Sequence, residues 1–269
     1  HFRIISSAAT RERDKFHIKK YLSKDVELKD VTDDLCVFGL FGPKSRDLIK
    51  TISKDNFDNE KFKFGMARYI TIDGVKIWAQ RLSYVGQLGF ELYVEFKDAK
   101  KIYELIINKG KEFNLSNCGM HAMDIMRMES GFLHWGHDIS PEENQYEAGL
   151  DFTISYKKNI NFIGKQNLEK IKKKGTIKRL AMFTLENSEP GKPLLLHDEP
   201  IYLENKIIGR TTSGNYSFNY NKNLSFGYIK SNISNEEFKN NNLYIEVEKQ
   251  KYKAKIILKP LNQVNFKSL

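Results

Sequence analysis

Three residues in the segment LHWGHD have side chains that can bind a metal ion. His134 and His137 stand three residues apart, and Asp138 follows directly. Imidazole nitrogens and carboxylate oxygens are common zinc ligands, but a zinc site needs further ligands at a suitable spacing. The sequence contains no additional ligand cluster with a recognised spacing. The pattern therefore favours a structural role for these residues, and we predict no metal site.

The sequence offers little support for a catalytic nucleophile. Ser130 precedes Gly131 without the strand-turn-helix frame of a nucleophile elbow. Cys118 lies beside a glycine and has no neighbouring residue that would activate its thiol. Methionine fills irregular gaps in a core, so a run of methionines at helical spacing predicts a packed helix face. The run consists of Met120, Met123, Met126 and Met128.

The segment YVGQLGFELY, residues 84–93, interrupts a strand-like pattern with two glycines separated by two residues. Glycine inside a strand marks a bulge, a tight turn or a close approach of the backbone to another group. From the residues alone, a bulge or turn between two strands is favoured, so any function has to be inferred from other features.

Helices and strands alternate before this segment. Thr10 is a candidate N-cap for a helix that runs to about Leu22. Pro43 is suited to the first position of a helix that ends at Ile52. Asp73 and Gly74 form a strong hairpin signal between two strands. The predicted strands are Phe2–Ser6, Leu35–Phe41, Ala67–Ile72 and Val75–Tyr84.

Later segments complete an α+β pattern followed by an all-β one. After the strand FELYVEF, Asp98 can cap a helix whose Ile102, Leu105 and Ile106 share a face. The next helix carries Asp124 and Arg127 on one face, and Gly131 is suited to its C′ position. From residue 175 onward, short strands separated by turns predict a small barrel or sandwich.

Composition limits the classes of partner. The 269 residues carry 44 Lys and Arg against 34 Asp and Glu, a net charge of +10. The lysines are spread along the chain and no nucleic-acid-binding motif accompanies them, so we expect neither a nucleic-acid nor a membrane partner. Two cysteines cannot build a disulfide framework, which favours the cytoplasm, or the mitochondrial matrix in a eukaryote.

Five motifs, in this order and nearly this spacing, resemble the folate-binding aminomethyltransferase family, which is the glycine cleavage T-protein family. They are YVGQLGFELY, GMHAMDIMRMESGF, DISPEENQYEAGLDF, NFIGKQNLEKIKKKG and GRTTSGNYSF. The first and fourth are particularly similar to the carboxyl-terminal region of dimethylglycine dehydrogenase and sarcosine dehydrogenase. The resemblance covers almost the whole chain and is specific because five separated motifs agree.

The resemblance implies an α+β, aminomethyltransferase-like folate-binding fold with a carboxyl-terminal β-barrel. Residues 1–174 would form an intertwined region, with 34–116 ferredoxin-like and 1–33 plus 117–174 as a second subdomain. Residues 175–269 would form the barrel. The family's acidic catalytic residue lies in an amino-terminal part of the fold that we expect to precede this sequence, and whose loss would expose apolar surface. FAD is expected only in a domain absent from this chain, which has no dinucleotide-binding glycine fingerprint.

The resemblance also implies the chemistry and the site. The family transfers a one-carbon unit from a small secondary or tertiary amine to tetrahydrofolate. Its pterin anchor is a glutamate, which this sequence replaces with Gln87. The same motif assigns Tyr84 and the backbone of Leu88 and Gly89 to the pterin site. The helix match adds Arg127 as a candidate binding residue, with Asp124 and Glu129 either beside it or in a buried ion-pair network.

Three functional interpretations remain open at this point. The first is a folate-dependent transferase region of an amine dehydrogenase or T-protein-like enzyme. The second is a folate-binding module with impaired catalysis, since Gln87 offers a pterin one acceptor where glutamate offers two. The third is an assembly module. Trp135 and Glu147 also match the family, and we interpret both as structural; no catalytic residue is assigned.

Overall fold

The computed structural model describes residues 2–158 and 160–265, and its contacts divide them into two units. The first unit contains residues 2–83 and 87–116, and the second contains 84–86, 117–158 and 160–265. Residues 117–174 therefore group with the carboxyl-terminal strands, whereas the family resemblance grouped them with the amino-terminal part. No helix within the described residues is long and apolar enough to cross a membrane.

The first unit is built on a four-stranded antiparallel sheet with strand order β1-β4-β3-β2. Its elements are α1 (Arg11–Tyr21), β1 (Leu35–Phe41), α2 (Ser45–Ile52), β2 (Ala67–Ile72), β3 (Val75–Gln80), β4 (Gly89–Glu95) and α3 (Phe96–Gly110). This arrangement differs from the ferredoxin-like order expected for 34–116. No helix separates β3 from β4, so the two strands pair directly and antiparallel.

Local signals predicted several of these elements. The hairpin between β2 and β3 is confirmed, and Asp73 and Gly74 have the positive φ angles, 47° and 78°, that a type I′ turn needs. The strand predicted at Phe2–Ser6 is wrong: these residues are not in a strand, and Phe2, Ile4 and Ile5 are exposed. Helix α1 begins directly after Thr10 as predicted but buries none of its residues.

The core of the first unit packs the sheet against α2 and α3. Phe57, Phe62 and Phe90 are fully buried, with ring centroids 5.6 to 6.0 Å apart. The predicted apolar face of α3 is confirmed, because Ile102 and Ile106 are buried in the same cluster.

The second unit is a closed six-stranded barrel with helices at its periphery, and the barrel predicted from residue 175 onward is confirmed. Its strand order is β10-β5-β8-β7-β6-β9. The elements are α4 (Met120–Glu129), α5 (Lys165–Lys174), β5 (Lys178–Leu185), β6 (Pro200–Leu203), β7 (Lys206–Ser217), β8 (Lys222–Lys230), α6 (Asn235–Asn240), β9 (Leu243–Val247) and β10 (Gln250–Ile257).

Helix α4 lies against the barrel strand β8. Ile125 and Met128 pack on Leu224 and Phe226, which accounts for the methionine at position 128 as core filling. Met120, in contrast, is 68% exposed, so the packed face does not extend to the start of the helix. Gly131 ends α4 with φ of 76°, as the sequence predicts.

Two arginines of the first unit share one neutral acceptor. Asn59 Oδ1 accepts hydrogen bonds from Arg46 Nη2 and from Arg81 Nη2, the latter at 2.8 Å. Arg81 is 1% exposed, and neither arginine forms an ion pair within the described residues. Burial lowers the pKa of Arg81, and the nearby charge of Arg46 lowers it further. A hydrogen bond from Lys50 lowers the pKa of Asp58 and the charge of Arg46 helps to lower it, but among the described residues the cluster lacks a directly paired counter-charge.

We expect Asn59→Asp to supply that counter-charge and stabilise the protein. Replacing a neutral acceptor by a charged one should raise the free energy of unfolding by about 1 kcal/mol, measured by urea denaturation at pH 7. Asn232→Asp, at an exposed turn residue of the second unit, is the control and should have no such effect. Equal changes for both variants would contradict the prediction.

Candidate functional site

A cavity of about 320 Å³ lies within the second unit, between α4, strand β7 and the loops at residues 134–137 and 191–197. Leucine, proline and methionine side chains form part of its wall. Four of the six histidines of the chain also line it, namely His121, His134, His137 and His197. A pocket of this size with an apolar wall and a few polar groups is suited to binding a small molecule.

Arg127 on α4 forms the centre of the polar wall. Its side chain is 1% exposed, and each of its three side-chain nitrogens donates to a protein acceptor. Nε donates to Asp124 Oδ1 at 2.9 Å, and Nη2 forms an ion pair with the same oxygen at 2.8 Å. Nη2 also donates to Ser213 Oγ at 2.8 Å, and Nη1 donates to Asp138 and to the Phe132 carbonyl. Arg127 thus fixes other groups around the cavity and has no donor left for a ligand.

Asp138 is the buried counter-ion of Arg127 and is completely inaccessible to solvent. Its Oδ2 also accepts from the backbone N–H of His134 at 2.9 Å. Its Oδ1 accepts from Thr212 Oγ1 at 2.6 Å and from Ser213 Oγ at 2.7 Å. Every carboxylate oxygen therefore has two donors, which offsets the cost of burying the charge.

A β-bulge in β7 makes this arrangement possible. The pairing register with β8 shifts between Thr211 and Ser213, so Thr212 is an extra residue in the ladder. Side chains of consecutive residues in a regular strand point to opposite faces, whereas a bulge redirects one of them. The hydroxyls of Thr212 and Ser213 consequently reach the same oxygen of Asp138.

Asp124 presents an open carboxylate oxygen to the cavity. Its Oδ1 is occupied by Arg127, but among the residues that the structure describes, Oδ2 has only a long contact of 3.5 Å from Asn215 Nδ2. Its side chain is 29% exposed. Glu129 is different, because Ser217 Oγ and Asn219 Nδ2 donate to its two oxygens at 2.6 and 2.9 Å. Asp124 is available to a ligand, whereas Glu129 links α4 to the end of β7.

Tyr84 contributes a neutral phenol to the same wall. Its hydroxyl donates to the Leu133 carbonyl at 2.9 Å, and its ring stacks near that of Phe132. Burial raises the pKa of Tyr84 to about 12. The hydroxyl therefore stays protonated at neutral pH.

His134 and His137 lie together on the cavity wall, with ring centroids 4.6 Å apart. Burial lowers the pKa of His134, and the neighbouring His137 and Arg127 lower it further. Asp138 does not join the two imidazoles as a third ligand, because both of its oxygens are occupied. Within the described ranges, no group of three His, Cys, Asp or Glu residues is arranged to hold a metal ion.

The remaining residues of the glycine motif lie in the first unit. The Leu88 carbonyl accepts from Gly42 N at 2.8 Å and from Ser45 Oγ at 3.2 Å. A Cβ at Gly89 would lie 2.1 Å from the Phe41 ring, so glycine is required by this close approach. Gln87 is half-buried, and its backbone N–H donates to Ser83 Oγ at 3.2 Å. Its side-chain amide has no hydrogen-bond partner among the described residues.

The structure thus places Tyr84 and Arg127 on one cavity, together with Asp124, and places Gln87, Leu88 and Gly89 in the other unit. Sequence reasoning missed His197, Thr212 and Ser213. Thr212 and Ser213 lie on β7 and His197 lies in the loop between β5 and β6, all far along the chain from α4, and no local pattern distinguishes them. In the sequence, Thr212 and Ser213 were marked only by their position inside the family motif GRTTSGNYSF.

Comparisons with known proteins agree with this architecture. A family model described as "GCVT N-terminal domain" matches residues 1–158, and one described as "Glycine cleavage T-protein C-terminal barrel domain" matches residues 178–262. The chain is 35% identical to mitochondrial dimethylglycine dehydrogenase of Homo sapiens over 88% of its length, which corresponds to 27% of that protein. It is 28% identical to an aminomethyltransferase of Anoxybacillus flavithermus, with coverage of 97% and 69%.

A solved structure shows the same fold. The glycine cleavage system aminomethyltransferase T from Bartonella henselae superimposes with a TM-score of 0.77 at 17% sequence identity. The match covers 96% of this chain and 68% of that one. The chain therefore spans about a quarter of the length of the dehydrogenase and about two thirds of the length of the aminomethyltransferases.

We expect Arg127→Met to destabilise the second unit strongly. The change leaves the buried Asp138 carboxylate without its cation, and breaking a buried pair costs about 3–5 kcal/mol. The measurement is the free energy of unfolding in guanidinium chloride. Arg210→Met is the control. Arg210 lies on β7, the strand of Thr212 and Ser213, and its ion pair with Asp198 is exposed, so a loss within about 1 kcal/mol is expected. A similar loss of unfolding free energy in both variants would show that the buried ion pair contributes no more to stability than the exposed one.

Proposed function

The chain belongs to the glycine cleavage T-protein family, and from this premise we propose that it forms a tetrahydrofolate-dependent one-carbon transfer region. The dehydrogenases and the aminomethyltransferase to which it is similar are enzymes, as their names state. We propose a small secondary or tertiary amine as the carbon donor. In a longer protein, an FAD domain would oxidise this amine to the iminium that the region consumes.

The observation that carries the proposal is the open carboxylate oxygen of Asp124 in a cavity with a partly apolar wall. A one-carbon unit attached to an amine as an iminium is a cation, and a preorganised carboxylate stabilises such a charge strongly where water is excluded. Arg127 holds Asp124 through Oδ1 and leaves Oδ2 directed to the cavity. Asp124 is therefore our candidate for stabilising the donor.

The residues present also fit a reduced folate. Its pterin ring is rich in N–H donors, and Asp124 Oδ2 offers an acceptor in the cavity of the second unit. On the motif resemblance alone, we propose Gln87, Tyr84 and the backbone of Leu88 and Gly89 as pterin contacts. Arg127 acts by positioning Asp124 within the second unit. When bound, tetrahydrofolate supplies the two N–H groups that accept the carbon. The protein contributes proximity and the exclusion of water.

Gln87 is the observation that favours the second interpretation, a folate-binding module with impaired catalysis. An uncharged amide presents one acceptor oxygen, whereas glutamate presents two oxygens and a charge. The amide still provides an acceptor, so weaker binding is the expected consequence, and the transferase interpretation is retained.

The proposed transfer is tested by following formation of methylenetetrahydrofolate from tetrahydrofolate and formaldehyde, with and without protein. We expect the protein to accelerate the reaction, and Asp124→Asn to reduce the acceleration by roughly 100-fold. Asp151→Asn, an exposed aspartate of the same unit, serves as the control and should behave as wild type. No acceleration by the wild-type protein over the buffer reaction would refute the transferase proposal.

The role of Gln87 is tested separately by calorimetric titration with tetrahydrofolate. We expect Gln87→Glu to bind roughly tenfold more tightly, because a charged acceptor forms stronger hydrogen bonds than an amide. Gln250→Glu, at an exposed position in the β9–β10 hairpin, controls for the change in net charge. Equal affinities of wild type and Gln87→Glu would remove Gln87 from the binding site.

A further inference from the structure

Four buried side-chain polar atoms of the described residues have no hydrogen-bond partner, and three of them belong to arginines of the first unit. These three are the Nε atoms of Arg46, Arg68 and Arg81, which we call the arginine cluster. Folded proteins pair nearly all of their buried donors, and an unpaired one requires a specific explanation, of which a bound ion is one. Three unpaired donors on three cations therefore indicate a site for an anion.

The members of the arginine cluster contact the same loop, which joins α2 to β2. Arg46 Nη2 and Arg81 Nη2 both donate to Asn59 Oδ1. Arg81 Nη1 donates to the Phe62 carbonyl, and the guanidinium carbon of Arg68 lies 4.4 Å from the centre of the Phe62 ring. The three side chains come from α2, from β2 and from the residue that follows β3. The fold therefore brings together cations that are far apart in the sequence.

The acceptors of the arginine cluster are neutral. Besides the amide of the loop, they are the backbone carbonyls of Asn56 and Phe62. The acidic residues of the loop are engaged elsewhere or exposed: Asp55 accepts from a backbone N–H of β2 at 2.7 Å, and Asp58 pairs with a lysine of α2 at 2.7 Å. Glu60 is exposed and forms no ion pair within the part of the chain that the structure describes. The loop thus provides no carboxylate that pairs directly with the guanidiniums.

The arginine cluster is buried on one side and open on the other. Arg81 is 1% exposed, and its two Nη atoms hold it in place. Arg46 and Arg68 are half-buried, and the hydrogen bonds of both to the loop are exposed. An ion that arrives from solvent therefore meets Arg46 and Arg68 first, with the charge of Arg81 behind them. Burying a cation without a counter-charge is costly, so an anion at this position offsets that cost.

We propose that the arginine cluster is a binding site for a small oxyanion, either a phosphate or a carboxylate. Guanidinium is permanently charged, and its planar array of donors matches the oxygens of both groups. The oxyanion supplies the counter-charge that the loop does not, and its oxygens accept from the Nε donors. The site lies wholly in the first unit, and the proposal does not depend on the one-carbon transfer function.

The Nε–H signals of the arginines, resolved by nitrogen NMR, report on the site directly. Sodium phosphate or sodium acetate is titrated into the protein at constant ionic strength, with chloride as the replaced anion. We expect a saturable shift of the signals of the arginine cluster, whereas that of Arg127, whose Nε already donates to Asp124, stays unchanged. The anion that saturates the shift at the lower concentration identifies a phosphate or a carboxylate site. No saturable shift with either anion would overturn the proposal.

Two variants change the charge of the site while Arg81 remains in place. Arg46→Gln removes one charged donor and should weaken anion binding by roughly tenfold. Asn59→Asp places a carboxylate between Arg46 and Arg81, which should also weaken binding because the site then holds its own counter-charge. Arg13→Gln removes the same charge from an exposed position on α1 and should bind as wild type. Wild-type affinity in both Arg46→Gln and Asn59→Asp would refute the site.

The stability of the protein provides an independent measurement. A ligand that binds only the folded state multiplies the folding equilibrium constant by one plus its concentration over its dissociation constant, so a tenfold excess gives about an elevenfold gain. Phosphate also stabilises proteins through exclusion from their surface, an effect that does not depend on a site. Stabilisation that saturates in wild type and is weaker in Asn59→Asp supports the proposal. Equal stabilisation of both proteins without saturation contradicts it.

Discussion

The buried ion pair between Arg127 and Asp138 is the interaction on which the second unit depends. Taking both charges out of water is costly, and the cost is offset only where every donor and acceptor is paired. The guanidinium contacts four acceptor oxygens and the carboxylate has four donors. These partners come from α4, from the loop after it and from β7. One pair thus fixes three segments, and the cavity lies among them.

The proposed function depends on the polar groups that this hydrogen-bond network leaves unpaired. Asp124 gives one oxygen to Arg127 and keeps the other for the cavity, while the imidazole of His134 is held there by a bond to its backbone. A carboxylate and a neutral base are therefore positioned by a third group that needs no contact with the ligand. Such positioning gives the cavity preorganised polar groups.

Much of the fold was predictable because its signals are local. The turn at Asp73 and Gly74 and the end of α4 at Gly131 follow from backbone conformations that few residues adopt, and the structure confirms both. The strand predicted at Phe2–Ser6 was wrong, because an apolar run specifies a strand only where a partner strand and a core are present. The site was less predictable: helical spacing joined Asp124 to Arg127, but only the folded chain brings Ser213 and His197 to the same cavity.

The bulge at Thr212 also limits how this sequence can vary over evolutionary time. Deleting one residue from β7 would restore a regular ladder with β8, but it would turn every side chain on one flank of the deletion to the opposite face. The hydroxyls that hold Asp138 would then no longer share a face, and the buried charge would lose donors. A change in the length of this strand would therefore require compensating changes in α4 and in the loop that carries Asp138.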